Sequence, residues 1–153
     1  MTDQTVLLKG QPVSKHIREK LKSQINDLKE TYNITPKLAA ILVGDDPASQ
    51  VYVSSKNKAF KKMECASETY CLPTDIHEDD LIELIDGLNK DYSVHGILVQ
   101  LPLPKGLDSK KVLQSVSPEK DVDGFHPMNI GYLFEGNPQF IPCTPNGIIE
   151  ILD

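Results

Sequence analysis

No apolar run in the chain approaches the roughly 18 residues needed to cross a bilayer, and Met1 to Gly10 lacks the basic and then long apolar plan of a signal peptide. The expectation is a cytoplasmic protein with no membrane partner. Cys65, Cys71 and Cys143 are odd in number and form no C-x-x-C, so neither a disulfide framework nor a zinc site is indicated. His16, His77, His95 and His126 are scattered without ligand spacing, and no metal is expected. The 16 Lys and Arg are spread along a chain of pI ≈ 5.2, which lacks the clustered basic face that a phosphate backbone requires; nucleic acid is not a partner. No G-x-G-x-x-G or comparable glycine cluster occurs, so no cofactor-binding residues for a dinucleotide pyrophosphate are assigned. Internal repeats and low-complexity tracts are absent too.

What remains is an ordinary globular composition, 39% hydrophobic and 25% charged over 153 residues, enough to bury one sizeable core. Thr5 to Leu8 is a short strand candidate. Beyond the Lys9-Gly10 turn, Pro12 suits a first helical turn, and Val13, Ile17, Leu21, Ile25 and Leu28 recur at helical spacing up to about Asn33. Lys37 to Val43 is a continuous apolar run closed by Gly44, as in a strand buried on both faces of a parallel sheet. A helix from about Ala48 to Met63, a strand from Glu64 to Leu72, a helix from Glu78 to Asn89 and a buried strand from Gly96 to Gln100 follow. Asp108 is placed to cap a short helix through Val116, the loop-rich stretch to Phe140 holds a helical turn at Ile130 to Phe134, and Thr144 caps a last helix carrying Ile148, Ile149 and Leu152. Strands alternating with long helices imply βαβ units: an α/β, three-layer domain with a mostly parallel sheet flanked by helices. We place the domain at residues 1–143, with 144–153 beginning a helix that leads onward, since this last pattern has no stop signal.

Ligands bind open parallel sheets at the carboxyl ends of the strands. The stretch V-G-D-D-P-A-S-Q-V-Y-V-S-S-K from Val43 runs a strand into a turn and a helix, on which Tyr52 and Lys56 stand four residues apart on one face, separated by about 6 Å along the axis. Gln100 ends another strand on the same edge, and the loop with Asp121 and Asp123 is long enough to fold over it. Lys56 would carry protons only if its amine were brought towards neutrality, which burial or a cationic substrate does. Tyr52 can stack on a flat heterocycle, Gln100 can orient an amine without holding it charged, and Asp123 can accept paired bonds from an N–H/NH₂ edge. Singly, each has a plainer reading: an exposed helix lysine like Lys58, Lys61 and Lys62, a core aromatic, a solvent-facing amide and an Asp-Gly turn.

Together the motifs say more. V-G-D-D-P-A-S-Q-V-Y-V-S-S-K-N-K-A (43–59), G-I-L-V-Q-L-P-L-P (96–104), P-E-K-D-V-D-G-F-H-P-M-N-I-G (118–131) and P-C-T-P-N-G (142–147) closely resemble the bifunctional methylenetetrahydrofolate dehydrogenase/cyclohydrolase family, in the family's order and spacing. The chain looks like that family's amino-terminal catalytic domain, without the Rossmann nucleotide-binding domain that completes it. The resemblance implies oxidation of 5,10-methylenetetrahydrofolate to the methenyl cation, with NADP or NAD as co-substrate of the complete enzyme, and hydrolysis to 10-formyltetrahydrofolate, in one-carbon metabolism feeding purine biosynthesis. It implies a small-molecule folate substrate, a homodimer for the complete enzyme, and these roles: Lys56 the catalytic lysine, Tyr52 the aromatic that orients and stacks on folate, Gln100 the lysine's hydrogen-bond partner, Asp123 the carboxylate gripping the pterin, and Val99 and Leu101 backbone and wall contacts. Loss of the family's carboxyl terminus, which packs back onto this domain, would expose apolar surface.

Two other readings compete. A short-chain dehydrogenase also uses Tyr-x-x-x-Lys on a helix, here with Ser49 nearby, but its glycine-rich turn lies upstream, and residues 1–48 hold only Gly10 and Gly44. The other is a non-catalytic folate-binding or interaction module that keeps the pocket and lacks the dehydrogenase half.

Overall fold

The computed structural model describes residues 7–153. Its centre is β1 (Lys37–Val43), paired in parallel with β2 (Ala66–Leu72) on one side and β3 (Gly96–Val99) on the other, giving the order β2-β1-β3. Side chains alternate across a strand, so β1 divides its apolar run between two layers. Ala39, Ile41 and Val43 join Ile97 and Val99 against Leu81, Ile85 and Leu88 of α3 (Glu78–Lys90) and Val112 of α4 (Ser109–Ser115). Leu38, Ala40 and Leu98 face Val53 and Phe60 of α2 (Pro47–Lys62) on the opposite side. Burial on both faces is why β1 reads as an unbroken apolar run. The result is the expected three-layer α/β arrangement, its described strands all parallel.

The first helix, α1 (Gly10–Tyr32), takes Pro12 in its opening turn and ends at Asn33, whose left-handed φ of 55° closes the last turn. None of its residues is buried, although its apolar stripe is the one the spacing indicated. Two helices complete the chain: α5 (Pro127–Phe134) and α6 (Cys143–Leu152). The last touches α1, with Ile151 beside Gly10.

Several local expectations change. Half of the Thr5–Leu8 strand lies outside the described residues, and its described half, Leu7 and Leu8, is exposed and in no strand. The turn expected at Ile130–Phe134 is the end of a longer helix, because His126 caps it through Nδ1, which accepts from the Met128 N–H at 3.1 Å, and Pro127 opens it. Thr144 is not a cap: α6 starts one residue earlier, Pro142 holds the cap position, and Thr144 is inside the first turn. Asp108 does cap α4, accepting from the Lys110 and Lys111 N–H groups.

Candidate active site

The carboxyl end of β3 and the helix that follows β1 line one cavity. After β1, Gly44 turns the chain at φ +83°, a conformation that side chains resist, and its N–H donates to the Leu72 carbonyl at 2.9 Å. Asp46 then caps α2, its carboxylate accepting from the Ser49 N–H at 2.7 Å; hydrogen bonding by the Ser49 side chain first, and by this N–H second, holds its pKa below the usual carboxylate range. Pro47 supplies the first helical residue. With Ser49 and Val53 buried against the sheet, the neighbouring stripe that carries Tyr52 and Lys56 is set along the cavity.

The cavity, of about 280 Å³, is lined by Tyr52, Lys56, Val99, Gln100, Leu101 and Asp123, so all six residues singled out from the sequence meet there. Tyr52 is 55% exposed, which removes the core-aromatic reading and leaves its ring free to stack. The Lys56 ammonium nitrogen lies 4.5 Å from the centre of that ring, so the amine is held against an aromatic face rather than extended into water. Gln100 is fixed at the end of β3 by its N–H, which donates to Ile41 at 2.9 Å. Its side chain does not take the role of a bonding partner to the amine here: Nε2 donates instead to the neighbouring Leu101 carbonyl at 2.8 Å. The Leu101-Pro102 peptide that follows is cis.

Asp123 is largely screened from water. Burial raises its pKa above the usual value, the nearby Lys56 charge pulls it down and the charge of Asp121 pushes it up. The site therefore pairs one cationic and one reluctant anionic group across a space bounded by an aromatic ring. Further along the wall stand Phe125 and the opening of α6, Pro142 to Pro145. These residues were not singled out individually. Their signal was the P-C-T-P-N-G stretch, whose helical start turns out to complete the cavity.

The turn after β1 offers Asp45 and Asp46, anions where a pyrophosphate would need N–H donors, and the Ser49 N–H is already taken by Asp46. After β3 come prolines. Among the described residues no cluster of His, Cys, Asp or Glu is arranged to hold a metal, and no helix is long and apolar enough to cross a membrane.

The family profile described as tetrahydrofolate dehydrogenase/cyclohydrolase, catalytic domain, matches residues 8–123. A protein of Acetivibrio thermocellus named Bifunctional protein FolD is 52% identical over 146 residues, 95% of this chain and 51% of that protein. Among solved structures, the bifunctional FolD methylenetetrahydrofolate dehydrogenase/cyclohydrolase of Campylobacter jejuni superposes with a TM-score of 0.93 at 49% identity, covering 96% of this chain and 52% of that one. The Trypanosoma brucei dehydrogenase-cyclohydrolase, solved with NADP and an inhibitor, gives 0.91 at 34% identity over 97% of this chain and 51% of that one. The chain thus spans about half the length of the curated relatives it matches.

Proposed function

We propose a function from one premise: the chain belongs to the tetrahydrofolate dehydrogenase/cyclohydrolase family. It supplies the folate site and the proton-handling lysine for converting 5,10-methylenetetrahydrofolate to the methenyl cation and then to 10-formyltetrahydrofolate. The observation that carries this reading is the Lys56 amine seated on the Tyr52 ring in the cavity that also holds Asp123.

The chemistry follows from charge. Methenyltetrahydrofolate is a flat cation delocalised over N5, the one-carbon centre and N10. Stacked on Tyr52, with its pyrimidine N–H/NH₂ edge on Asp123, it brings like charge towards Lys56 and favours the neutral amine. Water then attacks the one-carbon centre. The C–O bond forms, the water proton passes to the Lys56 Nζ, and the π pair withdraws onto nitrogen, leaving a neutral adduct. Nζ returns its proton to N5 as the C–N5 bond breaks, and the hydroxyl proton leaves to solvent. One water is consumed and one proton is released. The Gln100 amide can turn from the Leu101 carbonyl to the amine once substrate is seated.

Dehydrogenation asks chiefly for alignment of the folate with a hydride acceptor. On this reading the chain contributes the folate half of that step, and NADP or NAD serves the complete enzyme. A cytoplasmic location, a role upstream of purine synthesis and a homodimer of the complete enzyme belong to the same proposal. The relatives' printed names favour an enzyme over a non-catalytic folate module.

The test is hydrolysis of 5,10-methenyltetrahydrofolate, followed by loss of its near-ultraviolet absorbance. Lys56→Gln should lower the rate at least about a hundredfold, the scale of a general acid–base contribution, with substrate affinity retained. Hydrolysis at the parent rate by Lys56→Gln would refute the assignment.

A further inference from the structure

Asp121 and Asn129 are buried, at 5% and 0% exposure, yet neither lines the cavity. Buried polar side chains carry a desolvation cost unless bonded, so their bonds show what they are for. Asp121 follows directly on the point where the chain comes alongside β3: the Ile97 N–H donates to the Lys120 carbonyl at 2.7 Å, and Ile97 and Asp121 form a parallel bridge. One carboxylate oxygen, Oδ2, accepts two bonds, from the His126 N–H at 2.8 Å and from Asn129 Nδ2 at 2.9 Å. Asn129, on α5, also donates to the Pro118 carbonyl at 2.9 Å. The Gly124 N–H closes the inner turn on the Asp121 carbonyl at 3.2 Å.

Turning the Asn129 amide over would aim Oδ1 at a carboxylate and a carbonyl, two acceptors, so its orientation is dictated. Among the described residues Oδ1 itself has no hydrogen-bond partner, and the residue is held there through its donor. Residues 121–126 are consequently tied at both ends, to the sheet at one and to the start of α5 at the other. Asp123 lies within this tether.

We infer that Asp121 and Asn129 are positioning residues: a buried carboxylate–amide latch that joins α5 to the sheet edge and thereby fixes the Asp123 carboxylate in the cavity. The inference rests on the proposed folate reading only for the ligand used to probe it.

Three measurements on the full chain test it: affinity for 5,10-methenyltetrahydrofolate, amide hydrogen exchange across residues 122–126, and thermal midpoint. Asp121→Ala should weaken binding by about tenfold or more and speed exchange in that loop by a similar factor, with β1 amides still protected. Asp121→Asn keeps an oxygen for both donors and should bind within about threefold of the parent. Because Asp121 acts through Asp123, adding Asp121→Ala to Asp123→Ala should cost less than about twofold more. Parent-like binding by Asp121→Ala, or an undiminished loss in the Asp123→Ala background, overturns the latch. Where Asp121→Ala does not fold, Asn129→Ser shortens the side chain, withdraws the amide from the Asp121 carboxylate and the Pro118 carbonyl, and is read by the same criteria. If the parent chain does not bind the folate, the functional reading fails, and loop exchange decides the latch by itself: unchanged exchange in Asp121→Ala overturns it.

Discussion

Replacing Asp123 with asparagine should move stability and ligand affinity in opposite directions. In the unliganded chain the carboxyl is partly buried, and that desolvation raises its pKa above that of the unfolded chain. A raised folded-state pKa means that stability is fully present below the unfolded value of about 3.9 and is lost as pH rises through the folded value. Asparagine has no proton to lose, so Asp123→Asn should gain on the parent as pH rises from about 4, with the difference levelling once the native carboxyl is ionised. Removing the Lys56 charge as well should enlarge the parent's loss, because Lys56 lowers that pKa. For the ligand the effect reverses. A carboxylate accepts both donors of an N–H/NH₂ edge, each charged bond contributing about 1.5–3 kcal/mol, whereas asparagine turns one acceptor into a donor facing a donor. A loss of about 2–4 kcal/mol, roughly 30-fold to several hundredfold in Kd, is expected. Urea unfolding at a series of pH values gives the first quantity, and titration with methenyltetrahydrofolate gives the second. A stability difference that shrinks between pH 4 and 7, or unchanged affinity, would refute the account of Asp123 as a desolvated anion awaiting a donor edge.

Two further outcomes follow from packing. A Cβ at Gly96 would stand 2.5 Å from Val122 Cγ1, so Gly96→Ala should destabilise the fold by about 1–3 kcal/mol in urea unfolding and, by shifting the residue beside Asp123, weaken folate binding. On α6, Ile148, Ile149 and Leu152 are 55%, 54% and 63% exposed beside the half-open apolar stripe of α1. The chain should therefore self-associate, with light scattering giving a mass above 17.0 kDa that falls towards it in Ile148→Ser/Leu152→Ser.

The order of helices and strands was legible because each element answers to a local rule. Lys37 to Val43 reads as a doubly covered strand since its side chains from Leu38 onward must leave water, and Asp108 announces a helix start because a carboxylate satisfies free N–H groups wherever it stands. The spacing of Tyr52 and Lys56 on one helical face was likewise local. His126-Pro127 carries the same kind of signal, but histidine is an infrequent cap, so α5 was read too short.

What the sequence determined by itself, then, is periodicity, most of the caps and the set of candidate site residues. Only the tertiary structure decided which of them meet. Parallel pairing puts the ends of β1 and β3 side by side, the bridge at Ile97 and the Asp121–Asn129 bonds bring a distant loop over them, and the start of α6 closes the wall. It also decided that the Gln100 amide rests on the Leu101 carbonyl and that the α1 stripe stays half-open. The physical reason is that burial, shared hydrogen bonds and the mutual field of Lys56, Asp121 and Asp123 exist only once segments far apart in the chain are packed together.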